Sequence, residues 1–282
     1  MEKTKKTKEM DMLNGGIAGK LILFSLPLAC SSILQQLFNS ADVAVVGRFA
    51  GDRALAAVGS CVALVGIFVN LIVGLSVGPN AALANLIGQG KREKISSMLH
   101  TILAFGMILG IVLMCVGMLA ARAVLVASGT PESVLAEALL YIRIYFVSIP
   151  FMLIYNFGSA ALRSYGDTRR PMYYLIVSGT VNVILNLVLV ICFGLGVAGV
   201  GIATVISNVL SASLVMLCLY HREDEFRFCP AWLRIDREEL KKVLVIGIRQ
   251  ESRALFFLSP MCSSRAESIR SERMRSPDLP WR

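Results

Sequence analysis

Charged side chains are scarce in this sequence, and their scarcity restricts the class of protein. Asp, Glu, Lys and Arg make up 17% of the 282 residues, whereas about 25% is usual in soluble domains. Apolar residues reach 56%, which is more than a soluble globule of this length needs and far more than an intrinsically disordered chain carries. These values exclude both classes and indicate a membrane protein.

Five stretches contain no charged residue, and each is long enough for a helix of ~20 residues across a hydrocarbon core of ~30 Å. They lie between Lys20 and Asp42, Arg53 and Lys91, Lys94 and Arg122, Arg143 and Arg163, and Arg170 and Arg222. The last stretch has room for two helices joined by a Gly-rich turn. The sequence therefore predicts an all-α polytopic membrane protein with six spans, at about 21–46, 55–80, 98–121, 138–161, 172–193 and 200–220.

Acidic residues are fewer than basic ones, and the basic residues gather in alternate loops. The formal net charge is +9. If the N-terminus is cytoplasmic, 17 Lys and Arg residues lie in inside segments and four in outside segments, namely Arg48, Arg53, Arg122 and Arg143. This bias predicts a multi-pass protein of the cell (inner) membrane with a cytoplasmic N-terminus. Since the bilayer accounts for the basic residues, we expect no nucleic-acid partner.

Patterns typical of metal binding or catalysis are also missing. Histidine occurs only at His100 and His221, and the seven cysteines show no paired spacing. We interpret the cysteines as small apolar residues and expect neither a metal site nor a cofactor. Clusters of His, Asp and Ser near the span ends are lacking, so we do not expect an enzyme.

Three polar segments separate the predicted spans. Residues 47–59 form an outer turn that leads into a helix start rich in small residues. Residues 74–94 contain Gly74 and Gly78, whose spacing allows close helix packing, and a proline that favours a kink. In residues 161–172, a Gly-Asp turn precedes a proline that suits the first turn of the next helix.

The third segment and two later ones resemble motifs of one transporter family. Leu162–Met172 is similar to the L-R-x-x-G-D-T-x-x-P-M loop of the multidrug and toxic compound extrusion (MATE) family. Asn182–Asn186 and Gly194–Thr204 are similar to its N-x-x-L-[DN] helix and the glycine-rich segment behind it. That glycine pattern is no dinucleotide site, because it joins two apolar helices and no strand precedes it. The resemblance covers residues 15–248.

The resemblance implies a secondary antiporter that exports drugs or organic cations in exchange for H⁺ or Na⁺. Family members have twelve spans in two six-helix lobes, and substrate passes between the lobes by rocking alternating access. The chain would then supply a cytoplasmic tail, one lobe, an inter-lobe loop and the start of a seventh helix, at 1–20, 21–220, 221–242 and 243–248. A C-terminal lobe would be its missing partner.

Residues 249–282 depart from the family pattern. They carry seven Arg and no Lys, and they contain no long apolar run. The family continues with Pro-Ala-Gly-Ile-Gln, and deleting one nucleotide from a suitable proline codon would yield Arg249–Arg253 as found. We therefore expect a frameshifted, truncated product with an aberrant arginine-rich tail; a natural disordered tail is the alternative.

Two alternative functions follow from these patterns. A truncated chain would be a non-functional fragment. A flippase for lipid-linked sugars, from a related family, would be expected to carry more basic residues inside its cavity, and the spans here contain almost none. A transport assay on the chain beside a frame-restored control would separate a fragment from a working carrier.

One acidic residue and three uncharged polar residues mark the candidate site. Asp42 is the only acidic residue near the interior of a span, where an ionisable group is costly and usually functional. Asn182 and Asn186 are four residues apart and share a helix face, and Thr204 lies early in the sixth span. The resemblance implies that these four residues bind the coupling H⁺ or Na⁺. Hydrogen bonding between helices is the alternative role.

A polar stripe on the first span extends from this acidic residue. Gln35 and Asn39 are four residues apart, and Asn39 lies three residues before Asp42, so the three side chains share a face. They are possible lining residues of a substrate cavity. Polar contacts between helices would produce the same stripe.

Overall fold

The computed structural model describes residues 17–222, 226–228, 236–241, 243 and 245. No strand occurs in this part of the chain, which confirms the predicted all-α class. Its helices are α1 (Ile17–Phe49), α2 (Asp52–Leu75), α3 (Val77–Gly88), α4 (Arg92–Ala127), α5 (Glu132–Ser164), α6 (Arg169–Leu187) and α7 (Gly196–Tyr220), and a π-helical turn at Val188–Cys192 extends α6.

Within the described residues, five helical stretches are long and apolar enough to cross a membrane. They are Asp52–Gly88, Glu93–Ala127, Glu132–Ser164, Arg169–Cys192 and Gly196–Tyr220, and they coincide with the second to sixth predicted spans. The first predicted span lies within α1, which is not among the five. Its C-terminal half is less apolar because it carries Gln35, Gln36, Asn39, Ser40 and Asp42. The protein is a polytopic, all-helical membrane protein.

The second span is interrupted three residues before its proline. α2 ends at Leu75 and α3 begins at Val77. At the break, the Ser76 hydroxyl donates to the carbonyl of Val73 at 2.6 Å. Pro79 then lies in the first turn of α3, where a missing N–H leaves no hydrogen bond unmade. The discontinuity therefore lies at Ser76, one turn before the proline, as expected because Pro79 cannot donate to the carbonyl of Leu75 four positions back.

The turn between α5 and α6 has the geometry that its Gly-Asp sequence predicts. Gly166 has φ +92°, a conformation that side chains other than glycine rarely adopt. Asp167 accepts a hydrogen bond from the Arg170 N–H at 3.2 Å, and its other oxygen lies 3.2 Å from Arg170 Nε. Pro171 is the third residue of α6. These contacts set the start of α6, which carries part of the candidate site.

α5 is the central helix and contacts α2, α3, α4 and α7. The α4–α5 contact is close because glycines on α4 face bulky residues on α5. A Cβ atom on Gly110 would lie 2.5 Å from the Pro150 Cα atom, and one on Gly117 would overlap the Phe146 ring. Close packing of this kind holds membrane helices together where the hydrophobic effect cannot.

A helix begins at Arg237, before residue 243, where the seventh helix was predicted to start. Asp236 caps this start, since its Oδ1 accepts from the N–H groups of Glu238 at 2.9 Å and Glu239 at 3.5 Å. The predicted boundary at residue 243 was drawn from hydropathy and did not take this cap into account. Residues 1–16, 246–248 and 249–282, including the segment that suggests a frameshift, lie outside the described residues.

Candidate functional site

Asp42 lies on α1 and is buried, with 8% of its surface exposed. The Asn186 side chain of α6 donates a hydrogen bond from Nδ2 to Asp42 Oδ1 over 2.6 Å. The two residues are far apart in sequence, so this contact joins the first helix of the bundle to the sixth. It also brings together two of the residues that the sequence predicts as a site.

A chain of hydrogen bonds continues from this contact to α7. Asn186 Nδ2 also donates to Asn182 Oδ1 at 3.2 Å. Asn182 Nδ2 donates in turn to the Ser207 hydroxyl at 3.4 Å, and that hydroxyl donates to the Thr204 carbonyl at 2.9 Å. The Thr204 side chain lies beside Asp42. All four residues predicted for ion coupling therefore meet in one polar cluster between α1, α6 and α7.

The cluster is rich in oxygen atoms and contains one formal negative charge. Asn186 is fully buried, and its Oδ1 has no hydrogen-bond partner in the described part of the chain. Asp42 makes no ion pair with a described Lys or Arg residue. No group of three or more His, Cys, Asp or Glu side chains suited to a metal occurs among the described residues. Carboxylate and amide oxygens of this kind suit a proton or a small monovalent cation.

Asp42 opens into a cavity of about 580 Å³. The cavity is open on one side, and its lining residues come from α1, α2, α5, α6 and α7. Gln35 and Asn39 line it together with Asp42, Asn182 and Thr204, whereas Asn186 lies behind the lining. Further polar lining residues are Gln36, Ser40, Asn70, Ser178, Ser207 and Asn208.

Two tyrosines of α5 belong to the site, although the sequence analysis did not single them out. Tyr141 and Tyr145 are buried, lie near Asp42 and line the cavity, with ring centroids 6.3 Å apart. Their spacing of four residues places both on one face of the fourth span, and this was the sequence signal that could have identified them. Ser207, three residues after Thr204, was missed as well, and it shares a helix face with Thr204.

A bundle of apolar helices with a buried carboxylate beside a polar cavity is an arrangement found in secondary transporters. The sequence profile of the MatE family matches residues 27–188, more than half of the chain. This chain belongs to the MatE family, as its motifs predict.

Curated relatives share sequence along most of the chain. It is 33% identical to the probable multidrug resistance protein YoeA of Bacillus subtilis over 233 residues, which are 80% of this chain and 50% of that protein. It is 30% identical to the probable multidrug resistance protein YpnP of the same organism, over 71% of this chain and 45% of that protein. The chain spans about half the length of these relatives.

Solved structures of the family share the fold. The outward-facing conformation of a multidrug resistance MATE family transporter superimposes with a TM-score of 0.79 at 26% identity, covering 90% of this chain and 58% of that one. An inward-facing conformation gives a TM-score of 0.69 at 25% identity, covering 80% and 52%. The chain is therefore similar in fold to part of a known transporter.

Proposed function

We propose that this chain forms one lobe of a secondary antiporter that exports small organic cations in exchange for H⁺ or Na⁺. The observation that carries the proposal is the buried Asp42 carboxylate, which is bonded to Asn186 and opens into the cavity. A carboxylate in such a place is costly unless it binds something. A coupling ion at Asp42 and a substrate in the adjoining cavity would each satisfy that requirement.

The composition of the cavity supports a cationic, partly apolar substrate. Its described lining contains one acidic residue and no basic residue. Tyr141 and Tyr145 present aromatic rings, whose faces attract cations, and valines and Met152 add apolar surface. A lipid-linked sugar carries phosphate, so the lack of basic lining residues does not favour a flippase. The two named relatives are multidrug resistance proteins by description, which agrees with this substrate class.

The side-chain amide of Asn186 offers a route for ion coupling. Its Nδ2 group now donates to the Asp42 carboxylate, and its Oδ1 is buried without a partner. Rotating the Asn186 amide by half a turn would direct this oxygen towards the carboxylate and create a pair of ligands for Na⁺ or for a carboxylic proton. Because an ion shifts an equilibrium only through different affinities for two states, such a change would link ion binding to the shape of the cavity.

The remaining parts of the proposal concern the whole transporter. The chain spans about half the length of the relatives, so a second lobe would be needed for rocking alternating access. The distribution of Lys and Arg supports insertion into the cell (inner) membrane with a cytoplasmic N-terminus. The lobe's immediate partners would be the bilayer and the second lobe.

Export of ethidium from efflux-deficient cells tests this function. The chain should be expressed with a family-type second lobe restored after residue 248, with the empty vector as control. We expect lower ethidium accumulation than with vector, and a loss of this effect on adding a protonophore if H⁺ is coupled, or on removing sodium if Na⁺ is coupled. Export that persists under both treatments would contradict gradient-driven antiport.

A further inference from the structure

One end of α4 is covered in a way that the rest of the helix is not. Ile108, Val112 and Leu119 are 50%, 50% and 85% exposed, as expected for a helix at the lipid boundary of the bundle. In contrast, every residue from 98 to 104 is buried. These seven residues make almost two turns and therefore point in all directions around the helix axis. Something besides the neighbouring helices must cover the outer side of α4 here.

The covering chain is the segment that follows α7. The Phe228 N–H donates to the carbonyl of Leu219 at 3.0 Å, so the chain returns along the end of α7. The Phe228 ring stacks on the His100 ring of α4, with centroids 5.4 Å apart and an interplanar angle of 19°. Further along, the Asp236 N–H donates to the Thr101 hydroxyl at 3.1 Å. Both polar residues of the covered turns of α4 thus contact this segment.

The same segment holds the end of α5. The Arg222 guanidinium carbon lies 4.5 Å from the centre of the Tyr165 ring, which immediately follows α5. The Phe226 ring meets Tyr165 edge-on, with centroids 5.0 Å apart. Arg222 is 8% exposed and Phe226 is fully buried. An aromatic side chain buried to this extent is an anchor, whereas flexible linkers are poor in buried aromatic residues.

The helical residues after Asp236 continue the docking. Glu239 and Val243 are four residues apart and share one helix face, and each is 3% exposed. Arg237, Glu238 and Lys241 are exposed. One face of this helix is therefore packed against the protein and the other is left in solvent, which extends the attachment to Val243.

We propose that the described residues between Arg222 and Val243, here called the strap, bind the cytoplasmic ends of α4, α5 and α7 and move with this lobe as one unit. This inference rests on the proposed two-lobe function, in which two lobes rock against each other. The connection between the lobes is then no free linker, because rocking of the lobes does not bend the strap.

Hydrogen exchange of the whole chain in lipid nanodiscs, followed by mass spectrometry, tests the attachment without any transport. Peptides with residues 226–228 and 236–241 should exchange at least about tenfold more slowly than expected for an open chain, because their amides are held in a folded unit. The informative variant is Thr101→Val, which removes the hydroxyl that accepts the Asp236 N–H. The matched control is Ser97→Ala, which removes an exposed hydroxyl from the same helix.

We expect Thr101→Val to accelerate exchange in both peptides, and Ser97→Ala to change neither. Unprotected peptides in the unsubstituted chain would show that the strap is a free linker. If Thr101→Val accelerates amide exchange only in residues 236–241, the strap makes separate contacts and is not one unit. If it accelerates exchange in neither peptide, Thr101 does not hold the strap. Each of these results overturns the proposal.

Whether rocking bends the strap is tested in the form with two lobes. The protection of the strap amides, taken relative to the intrinsic exchange rate at each pH, should be the same at acidic pH and at high sodium as in a neutral, sodium-free buffer, even where peptides of α1 respond to the ion. Protection of the strap that is lost under one of these conditions would place a hinge inside it. This outcome does not depend on ethidium export, so it is separate from failure of the proposed function.

Discussion

Asp42 is nearly inaccessible to solvent and receives one short hydrogen bond from a side-chain amide. An ionised carboxylate at this depth loses most of its hydration, and the Asn186 N–H group replaces only part of it. No described Lys or Arg side chain forms an ion pair with the Asp42 carboxylate. In the proposed antiporter, binding of a proton or Na⁺ would satisfy this charge, and Asp42 would thereby sense the ion gradient.

The substitution Asp42→Asn tests this role. In the protein with a second lobe, we expect the variant to reach the membrane at a normal level and to lose gradient-driven ethidium efflux, because an amide cannot change its charge or bind a proton at neutral pH. The matched control is Asp52→Asn, which makes the same chemical change at an exposed residue in the first turn of α2. Efflux would be measured with membrane levels checked by immunoblot.

Undiminished efflux by Asp42→Asn would assign the coupling to the second lobe. Equal losses in the Asp42 and Asp52 variants would mean that the loss is not specific to the buried carboxylate. Only the combination of an inactive Asp42 variant and an active Asp52 variant supports the residue's proposed role.

The approach of α1 to α6 depends on a single glycine. Gly179 of α6 faces the Phe38 ring of α1, and a Cβ atom at this position would overlap the ring. Both residues line the cavity. Gly179 lies two turns before Asn186 on α6, and Phe38 lies one turn before Asp42 on α1, so both are close to the Asn186–Asp42 hydrogen bond. The position of α1, and with it that of the carboxylate, is therefore set by steric fit as well as by the hydrogen bond.

The substitution Gly179→Ala should lower the free energy of unfolding by about 1–3 kcal/mol, the usual cost of overpacking. Thermal melting in detergent measures the change. Gly59→Ala on α2 is the matched control, since a Cβ there meets nothing within 4 Å. Phe38→Ala removes the ring that the new methyl group would overlap. The double variant Gly179→Ala/Phe38→Ala should therefore be more stable than Phe38→Ala alone. A melting temperature that Gly179→Ala leaves unchanged would show that the Phe38 ring moves aside freely.

The elements differ in how far the sequence predicts them. Uncharged stretches located the spans because lipid requires apolar side chains along the full length of each. The pairing of Asn182 with Asn186 followed from helical spacing, which is local. The place of Tyr141 and Tyr145 beside Asp42 depends on how α2 and α7, which contact both α1 and α5, bring these two helices together, and no spacing within α5 reports this. The helix start at Arg237 depends on a local aspartate cap that hydropathy does not detect.

The molecule as a whole presents an incomplete polar surface. Gln36, Ser40 and Asn70 line the cavity and are exposed, although they lie on helices of a membrane protein. Exposed amide groups are costly in lipid, so this side of the bundle requires water or another protein surface. The part of this chain that matches its relatives covers about half of their length, and a second lobe of their kind would supply such a surface.

Expressing the chain alone should give a membrane protein without transport activity. Insertion depends on the hydropathy of the spans and the charge of the loops, and both are present through Lys242. Transport by rocking depends on a second lobe, which the described residues do not provide. We expect ethidium accumulation at the level of the vector control, and rapid degradation of the protein because its polar side remains uncovered.

Accumulation assays in efflux-deficient cells, with the membrane level followed by immunoblot, measure both effects, and the form with a restored second lobe is the positive control. A cysteine at exposed Lys91 or Lys94, labelled only from the cytoplasmic side, reports whether the lobe has inserted in the expected orientation. Efflux by the chain alone, abolished by a protonophore or by removing sodium, would contradict this prediction. It would mean that two copies of the lobe pair, with the exposed amides of one copy covering those of the other.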